Sequence, residues 1–450
     1  MPSPIRLGMI GCGVVGSGLL RLLRQRARDV ESAVGAPIRV TRIAVANPRK
    51  SREVDLNGIE VGADAMAVAG SEEVDLLLEL MGGAERSLPP VERALTRGIP
   101  VVTANKHLIS LHGAALEALA ARSGATLRYE ASVGGVIPLL QSLDHGLRTE
   151  RFTLLVGILN GTTNYILSTM EREGRDFAEA LDAARKLGFA EADPSLDLSG
   201  ADTAQKLTIL VRRAFRAPLE HGSIPTEGIV GMELEDLRQA DRFGYVAKLL
   251  GIAIRSPAGL DLRVHPAFIP KRYLLAAVRD EFNGVYLRGE AAGSMLLYGK
   301  GAGALPTAQA VLGDVIASAR EWSWRRAAGA AGASSPGEAR ATTGNKGNSA
   351  HADRGREEDE RLPLDEVRTK YYLRLLVEDR PGVLAQVANR LAAAGVSVAQ
   401  VFQEPGVRGE ASITMLTHEA RDKDARDAVK GIAELPTIRK APRAVRIFDI

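Results

Sequence analysis

A mostly apolar run over residues 5–10, interrupted by Arg6, is followed by Gly11-Cys12-Gly13-Val14-Val15-Gly16 and then by leucines at 19, 20, 22 and 23. The change from a short apolar run to helical spacing predicts a short buried strand, a glycine turn and a helix over residues 15–28. Further strands are expected at residues 39–46, 75–80 and 100–103, with a helical pattern near residues 90–97. Strands alternating with helices imply a parallel, doubly wound sheet. At the other end of the chain the pattern reads as a strand over 371–377, a turn at Asp379-Arg380-Pro381-Gly382, and an amphipathic helix over 383–394 closed by Gly395. Strands at 396–403 and 411–417, a helix at 423–432 and a strand at 444–448 follow. That order is βαββαβ, the ferredoxin-like split motif. Helices are also expected at 306–320 and, capped by Thr162 or Thr163, through 165–170. The segment Tyr245-Val246-Ala247-Lys248 reads as a core helix, its tyrosine and lysine one residue too close for a short-chain dehydrogenase pair.

Between these patterned regions the composition breaks. Residues 327–361 are Ala, Gly, Ser, Asn and mixed charge with hardly a large apolar side chain, the signature of a flexible linker. A chain of 450 residues with 45% hydrophobic content is expected to hold two or three domains with real cores. Fifty-eight Lys and Arg against 55 Asp and Glu give +3, which supplies no diffuse attraction to nucleic acid or an anionic membrane. A single cysteine excludes an intramolecular disulfide and a cysteine-rich zinc site, and fits a reducing cytoplasm. It lies inside the glycine turn, so an acylating aldehyde dehydrogenase, which needs a thiol on the substrate side, is also excluded. No window approaches the ~20 apolar residues of a membrane span.

Three places carry candidate chemistry. In the glycine turn, Gly11 permits the tight bend, Gly13 lets the backbone approach a pyrophosphate, and Gly16 packs helix on strand, a dinucleotide site. The second strand ends Ala46-Asn47-Pro48-Arg49-Lys50, with two cations where an NAD site places a carboxylate, which favours a 2′-phosphate and hence NADP. Lys106, in Thr103-Ala104-Asn105-Lys106, falls at the carboxyl edge of a strand, where such sheets bind ligands. Between Glu191 and Lys206 five ionisable side chains crowd an otherwise apolar stretch. If helical from about Ser199, Asp202 and Lys206 share one face; the spacing alone describes an ordinary helical ion pair.

With these features in this order, and with Tyr129 to Gly135, Asn160-Gly161-Thr162-Thr163-Asn164, Lys186 through Lys206 and Gly301 to Thr307, the chain resembles homoserine dehydrogenase in the form carrying a C-terminal ACT domain. The resemblance covers nearly the whole chain, and the run from Leu187 to Lys206 is its most specific part. It implies a Rossmann-type nucleotide domain (1–130, completed by 304–325), an α/β catalytic and dimerisation domain (131–303), a linker (326–368) and a ferredoxin-like ACT domain (369–450) in a homodimer or homotetramer. The implied reaction is reversible NAD(P)H-dependent reduction of aspartate 4-semialdehyde to homoserine, in threonine, methionine and isoleucine biosynthesis. By resemblance Lys206 is the proton donor, Lys106 a second cation touching substrate and cofactor, and Asp202 a positioning group. Glu191, Asp202 and Thr162 would face the substrate, with the amine held by the two carboxylates. Gly11, Gly13, Val14, Val15, Gly16, Arg49, Lys50, Lys106, Gly188 and Gly303 would face the cofactor. Carbonyls of Glu130, Val133, Gly135 and Ile137 would hold a structural sodium ion. The ACT domain would take threonine as a feedback effector. The alternatives are another NADP oxidoreductase acting on an amino-acid semialdehyde, or an NADP-binding sensor without turnover. The linker, longer than is usual in the family, makes rigid coupling of the last domain doubtful.

Overall fold

The computed structural model describes residues 3–332, 360–406 and 409–449. The chain divides into two compact units, one from residues 1–149, 208–221 and 299–358, the other from 150–207, 222–298 and 359–450.

The first unit is built on six parallel strands: β1 (Ile5–Ile10), β2 (Ile38–Ala44), β3 (Glu60–Gly62), β4 (Leu76–Glu79), β5 (Val101–Thr103) and β6 (Leu127–Arg128). Their order is β3-β2-β1-β4-β5-β6, the doubly wound arrangement, reversing direction between β1 and β4 where such sheets open a ligand crevice. Leu7, Met9, Leu76, Leu78 and Val102 are fully buried; helices cover both faces of the sheet, so the central strands β4 and β5 are buried at every residue, without alternation. The helix Val14–Gln25 packs on the long helix Ala304–Gly332 through Gly18, whose Cβ would sit 3.1 Å from the Ala304 carbonyl and the Ala308 methyl. The first helix ends at Gln25 rather than Arg28, and a second, Ala27–Val34, starts after the non-helical backbone of Arg26. The helix expected at 306–320 runs on to Gly332, because alanine-rich sequence sustains a helix already started. Of the rest of the expected linker, 333–359 lies outside the described residues, while 360–368 is described, with Arg361 bridged to Leu260 and a 3-10 turn at Leu364–Glu366.

The second unit holds ten strands: β7 (Phe152–Ile158), β8 (Tyr245–Ser256), β9 (Gly259–Pro270), β10 (Phe282–Gly289), β11 (Gly293–Lys300), β12 (Arg368–Glu378), β13 (Val398–Pro405), β14 (Glu410–Thr417), the short β15 (Ala420–Arg421) and β16 (Ile438–Ile447). Nine follow the order β11-β10-β7-β8-β9-β16-β12-β14-β13, and β15 pairs with β12. The last five strands and the helices Val383–Ala393 and Asp422–Ala433 form the ferredoxin-like module, with its core among Tyr371, Leu373, Val387, Leu391, Ile413 and Ile432.

Two expectations are corrected here. The segment Tyr245 to Lys248 is the start of β8, not a helix. It belongs to an apolar run buried on both faces, which has no period to read, and twelve consecutive pairings with β9 decide its conformation. The length of the linker also does not leave the C-terminal module loosely tethered. Its strand β16 pairs in parallel with β9, Arg446 opposite Ala267 and Ile447 opposite Phe268, so one sheet runs through both parts. Side chains reinforce the seam. Arg374 on β12 donates to Asp236 at 2.6 Å and to Glu233 at 2.8 Å, both on the first turn of the helix Leu234–Arg242 or its cap, while Lys440 reaches Glu233 at 2.6 Å. Asp236 is fully buried, and burying one member of such a pair without the other costs about 3–5 kcal/mol.

Lys248 is buried within β8, donating to Asn164 Oδ1 at 2.9 Å and to the Val278 carbonyl at 2.5 Å. Burial pushes its ammonium down from 10.5 to about 8. Because the folded chain releases this proton at a lower pH than the unfolded chain, stability from this site rises as pH climbs from about 8 to 10.5. Denaturant unfolding of the wild type and Lys248→Met across that window should therefore diverge by about 3 kcal/mol in favour of the wild type. Parallel pH curves would show that the ammonium is not desolvated.

Candidate active site

In the first unit the glycine turn joins β1 to the helix Val14–Gln25. Gly11 has φ +93°, and a Cβ there would lie 2.5 Å from the Leu80 carbonyl. Gly13 faces open space, with nothing within 4 Å of its missing side chain, and Val14 beside it is 71% exposed. A backbone bare of side chains at a helix N-terminus is a cradle into which a pyrophosphate fits. A Cβ on Gly16 would lie 2.8 Å from the Gly11 carbonyl, so the missing side chain lets the helix pack on the turn, and Val15 beside it is half-buried. Arg49 and Lys50 are exposed on the turn after β2. Arg52, which sequence reasoning passed over, ties that turn to the glycine loop. Its guanidinium donates to the carbonyls of Cys12 at 3.3 Å, Lys50 at 2.8 Å and Asn47 at 3.1 Å.

Lys106 is the first residue of the helix Lys106–Ser123, half-buried, and is aimed by a buried network. Glu79, at the end of β4, accepts from Thr103 at 2.6 Å, Ser87 at 2.9 Å and the Met81 amide at 2.8 Å. Asn105 donates to Ser87 and to the Gly83 carbonyl, and its Oδ1 caps the helix at the Leu108 amide. Burial raises the Glu79 carboxyl above its ordinary range against the pull of these donors.

The loop carrying Glu130, Val133, Gly135 and Ile137 is buried, with left-handed backbone at Gly134 and Gly135. A Cβ on Gly135 would meet the Lys300 carbonyl at 2.5 Å. Among the described residues the carbonyls of Val133 and Gly135 accept no main-chain hydrogen bond, while those of Glu130 and Ile137 each accept one and keep a second lone pair. Carbonyl donors of this kind fit a hard monovalent cation. The Glu130 carboxylate is committed elsewhere, receiving the amides of Leu140 and Gln141, and burial lifts it to about 7. Gly303, at φ +123°, precedes the helix Ala304–Gly332.

In the second unit β7 ends at Ile158 and the helix Gly161–Glu173 follows. The cap of that helix is Asn160, whose Oδ1 accepts the Thr163 amide at 2.8 Å, not Thr162 or Thr163. An asparagine oxygen one residue before the first turn reaches that amide, whereas a threonine inside the turn cannot. Thr162 instead donates to the Phe189 carbonyl at 2.6 Å, pinning the loop that carries Gly188 and Glu191. Gly188 has φ +77° and is exposed; Glu191 is exposed and is not brought into contact with Asp202 or Lys206.

Asp202 and Lys206 lie on the helix Ala201–Ala214 and make the ion pair their spacing predicts, at 2.7 Å. Their side chains are 6% and 12% exposed, which removes the pair from the class of solvated surface bridges. Lys206 Nζ also donates to the Leu159 carbonyl at 2.7 Å. The Asn160 amide donates to Asp202 Oδ2 at 2.9 Å and to Asp197 Oδ1 at 2.6 Å. Asp197 lies within the acidic stretch but was not singled out from sequence, since its partner is 37 residues away. Burial, and then the charge of Asp202, raise its carboxyl. Asp202 pairs with the ammonium and Asp197 lies within reach of its charge, so two carboxylates stand against one cation.

The chain is similar to known proteins along nearly its whole length. Residues 11–130 match the family described as Homoserine dehydrogenase, NAD binding domain, residues 138–316 match Homoserine dehydrogenase, and residues 371–436 match the ACT domain. The homoserine dehydrogenase of Pseudomonas aeruginosa is 36% identical over 100% of both chains, and that of Neisseria gonorrhoeae 34% identical over 100% of this chain and 99% of its own. The crystal structure of a homoserine dehydrogenase from Thiobacillus denitrificans is 38% identical and superposes with a TM-score of 0.88, covering 99% of this chain and 98% of that one.

Proposed function

The chain belongs to the homoserine dehydrogenase family of NAD(P)-dependent oxidoreductases acting on a CH–OH group, and we propose that Lys206 is its proton donor. The substrate pair is aspartate 4-semialdehyde and homoserine, in the reversible step leading to threonine, methionine and isoleucine. The observation that carries this reading is the fixed direction of the Lys206 ammonium, held by Asp202 and by the Leu159 carbonyl, each at 2.7 Å. Two of three N–H bonds set the orientation, and the third is the one a reacting oxygen needs. The nicotinamide cofactor supplies the hydride when bound. As negative charge gathers on the aldehyde oxygen, Lys206 delivers the proton and leaves an alcohol. Asp202, engaged by Lys206 and Asn160, positions the acid. Asp202 and Asp197, bridged by Asn160, together exceed the local positive charge and would hold the substrate ammonium, with Glu191 from the loop pinned by Thr162. Lys106 supplies a further cation to substrate and cofactor.

The cofactor is read as NADP, with NAD as a weaker substitute, because Arg49 and Lys50 stand exposed on a turn that Arg52 fixes against the glycine loop. Gly188 and Gly303 leave backbone bare for it. Sodium at the carbonyls of Glu130, Val133, Gly135 and Ile137 would be structural, tying the loop together. The C-terminal module is read as a threonine-responsive ACT domain, in a cytoplasmic homodimer or homotetramer. Among the described residues no helix is long and apolar enough to cross a membrane.

Three measurements check this reading. Lys206→Ala should lose at least ~100-fold in turnover of aspartate semialdehyde, the scale of general acid catalysis, and a fully active variant removes the role. The double variant Arg49→Ala/Lys50→Ala should weaken NADPH binding by about tenfold or more while NADH binding stays within about twofold, since only the 2′-phosphate gains from charge-assisted bonds; equal losses for both cofactors would contradict the NADP assignment. Millimolar threonine should lower the activity and release or absorb heat on titration; unchanged activity together with a flat thermogram would sink the threonine assignment.

A further inference from the structure

We infer that Asn283 is a positioning residue for the proton donor, acting through the main-chain carbonyl of Leu159. Leu159 lies between the end of β7 and the capping Asn160, where neither the strand ladder nor the helix holds its carbonyl. The donors to that oxygen among the described residues are two side chains, Lys206 Nζ at 2.7 Å and Asn283 Nδ2 at 3.1 Å. A carbonyl has two lone pairs, and a donor on the second fixes the plane in which the first points. Asn283 thereby sets the direction of one of the two acceptors that orient the Lys206 ammonium.

The placement of Asn283 is expensive and closely supported. It is 1% exposed, and its Oδ1 is buried with no hydrogen-bond partner among the described residues. An asparagine serving only to fill space would be replaced at lower cost by leucine, so the amide is kept for what its nitrogen does. The backbone before it is clamped from three sides. Asn164 donates to the carbonyls of Asp280 at 2.9 Å and Phe282 at 3.1 Å, Lys248 donates to that of Val278, and Gly161 lets the Glu281 carbonyl come within 2.6 Å of where a Cβ would stand. Lys248 and Asn164, which touch no reacting group, therefore hold the strand start from which Asn283 reaches Leu159.

This inference rests on the assignment of Lys206 as proton donor. Without the amide the Leu159 carbonyl can turn, and the ammonium keeps one fixed acceptor instead of two. Misaimed proton donation lowers kcat and leaves binding alone. Asn283→Ala should lower kcat by about tenfold to a hundredfold with the KM for NADPH within about twofold. Asn283→Asp, of the same size, loses the donor and places a carboxylate beside the ammonium, so the limb of the pH–rate profile belonging to the acid should move to higher pH. NADPH binding followed by fluorescence serves as the control for folding. An alanine variant with kcat within twofold of wild type, an aspartate variant with an unmoved profile, or loss of NADPH binding in step with turnover in both variants would each overturn the positioning role. Lys206→Ala measured alongside separates the two claims. If it stays active, the assignment of the acid fails and this inference with it; if it is inactive while both Asn283 variants turn over normally, this inference alone fails.

Discussion

An ammonium taken largely out of water must be met by fixed partners, and one end of the second unit is organised around that requirement at Lys206. Its charge is answered by Asp202 one helical turn earlier, and the direction of its N–H bonds by a main-chain carbonyl. Asp202 in turn needs a donor, which Asn160 supplies while capping the helix that starts there. One amide thus ends a strand's exit loop, begins a helix and holds two carboxylates apart from their mutual repulsion. The NGTTN run from Asn160 to Asn164 is a junction: its first asparagine serves the site, and its last serves the buried lysine of β8 behind it.

The half-buried Lys206 and the buried Lys248 show how differently the same side chain can be used. Lys206 is paired with a carboxylate and aimed. Lys248 has only an amide oxygen and a carbonyl, so desolvation dominates and brings it to about 8. The seam with the C-terminal module follows the first pattern. Asp236 is out of water altogether, and is tolerated because Arg374 reaches it directly and the capping box of its own helix accounts for its remaining oxygen.

Much of the nucleotide unit was legible in the sequence because each part left a side-chain or spacing signal. Glycines mark the turn, unbroken apolar runs mark strands covered on both faces, and the four-residue spacing of Asp202 and Lys206 survives into the geometry. What stayed hidden depended on partners distant in the chain or on the backbone itself. Nothing near Leu159 announces that its carbonyl will be shared, and Asn283, Glu79 and Arg52 look like ordinary polar residues until folding brings their acceptors to them. The assignment of Tyr245 to Lys248 to a helix failed because a strand buried on both faces carries no period. The capping of the helix at residue 161 was misplaced by two or three positions, since threonine and asparagine are both good caps and sequence does not say which stands just outside the first turn. The composition break after Trp324 was plain, yet composition could not reveal that β16 would reach back across it to β9.

That parallel pairing of β16 with β9 has a practical meaning for anyone who cuts this chain. β9 is buried along all twelve of its residues, and the C-terminal module supplies part of what covers it. Removing the module would uncover the edge of β9 at Ala267 and Phe268, leaving main-chain groups there without a strand, the kind of border along which proteins stick to one another. A truncated enzyme would then be judged on its solubility before its chemistry. In this architecture the module is a wall of the house and not an annex, and it is better interrogated by single substitutions than by deletion.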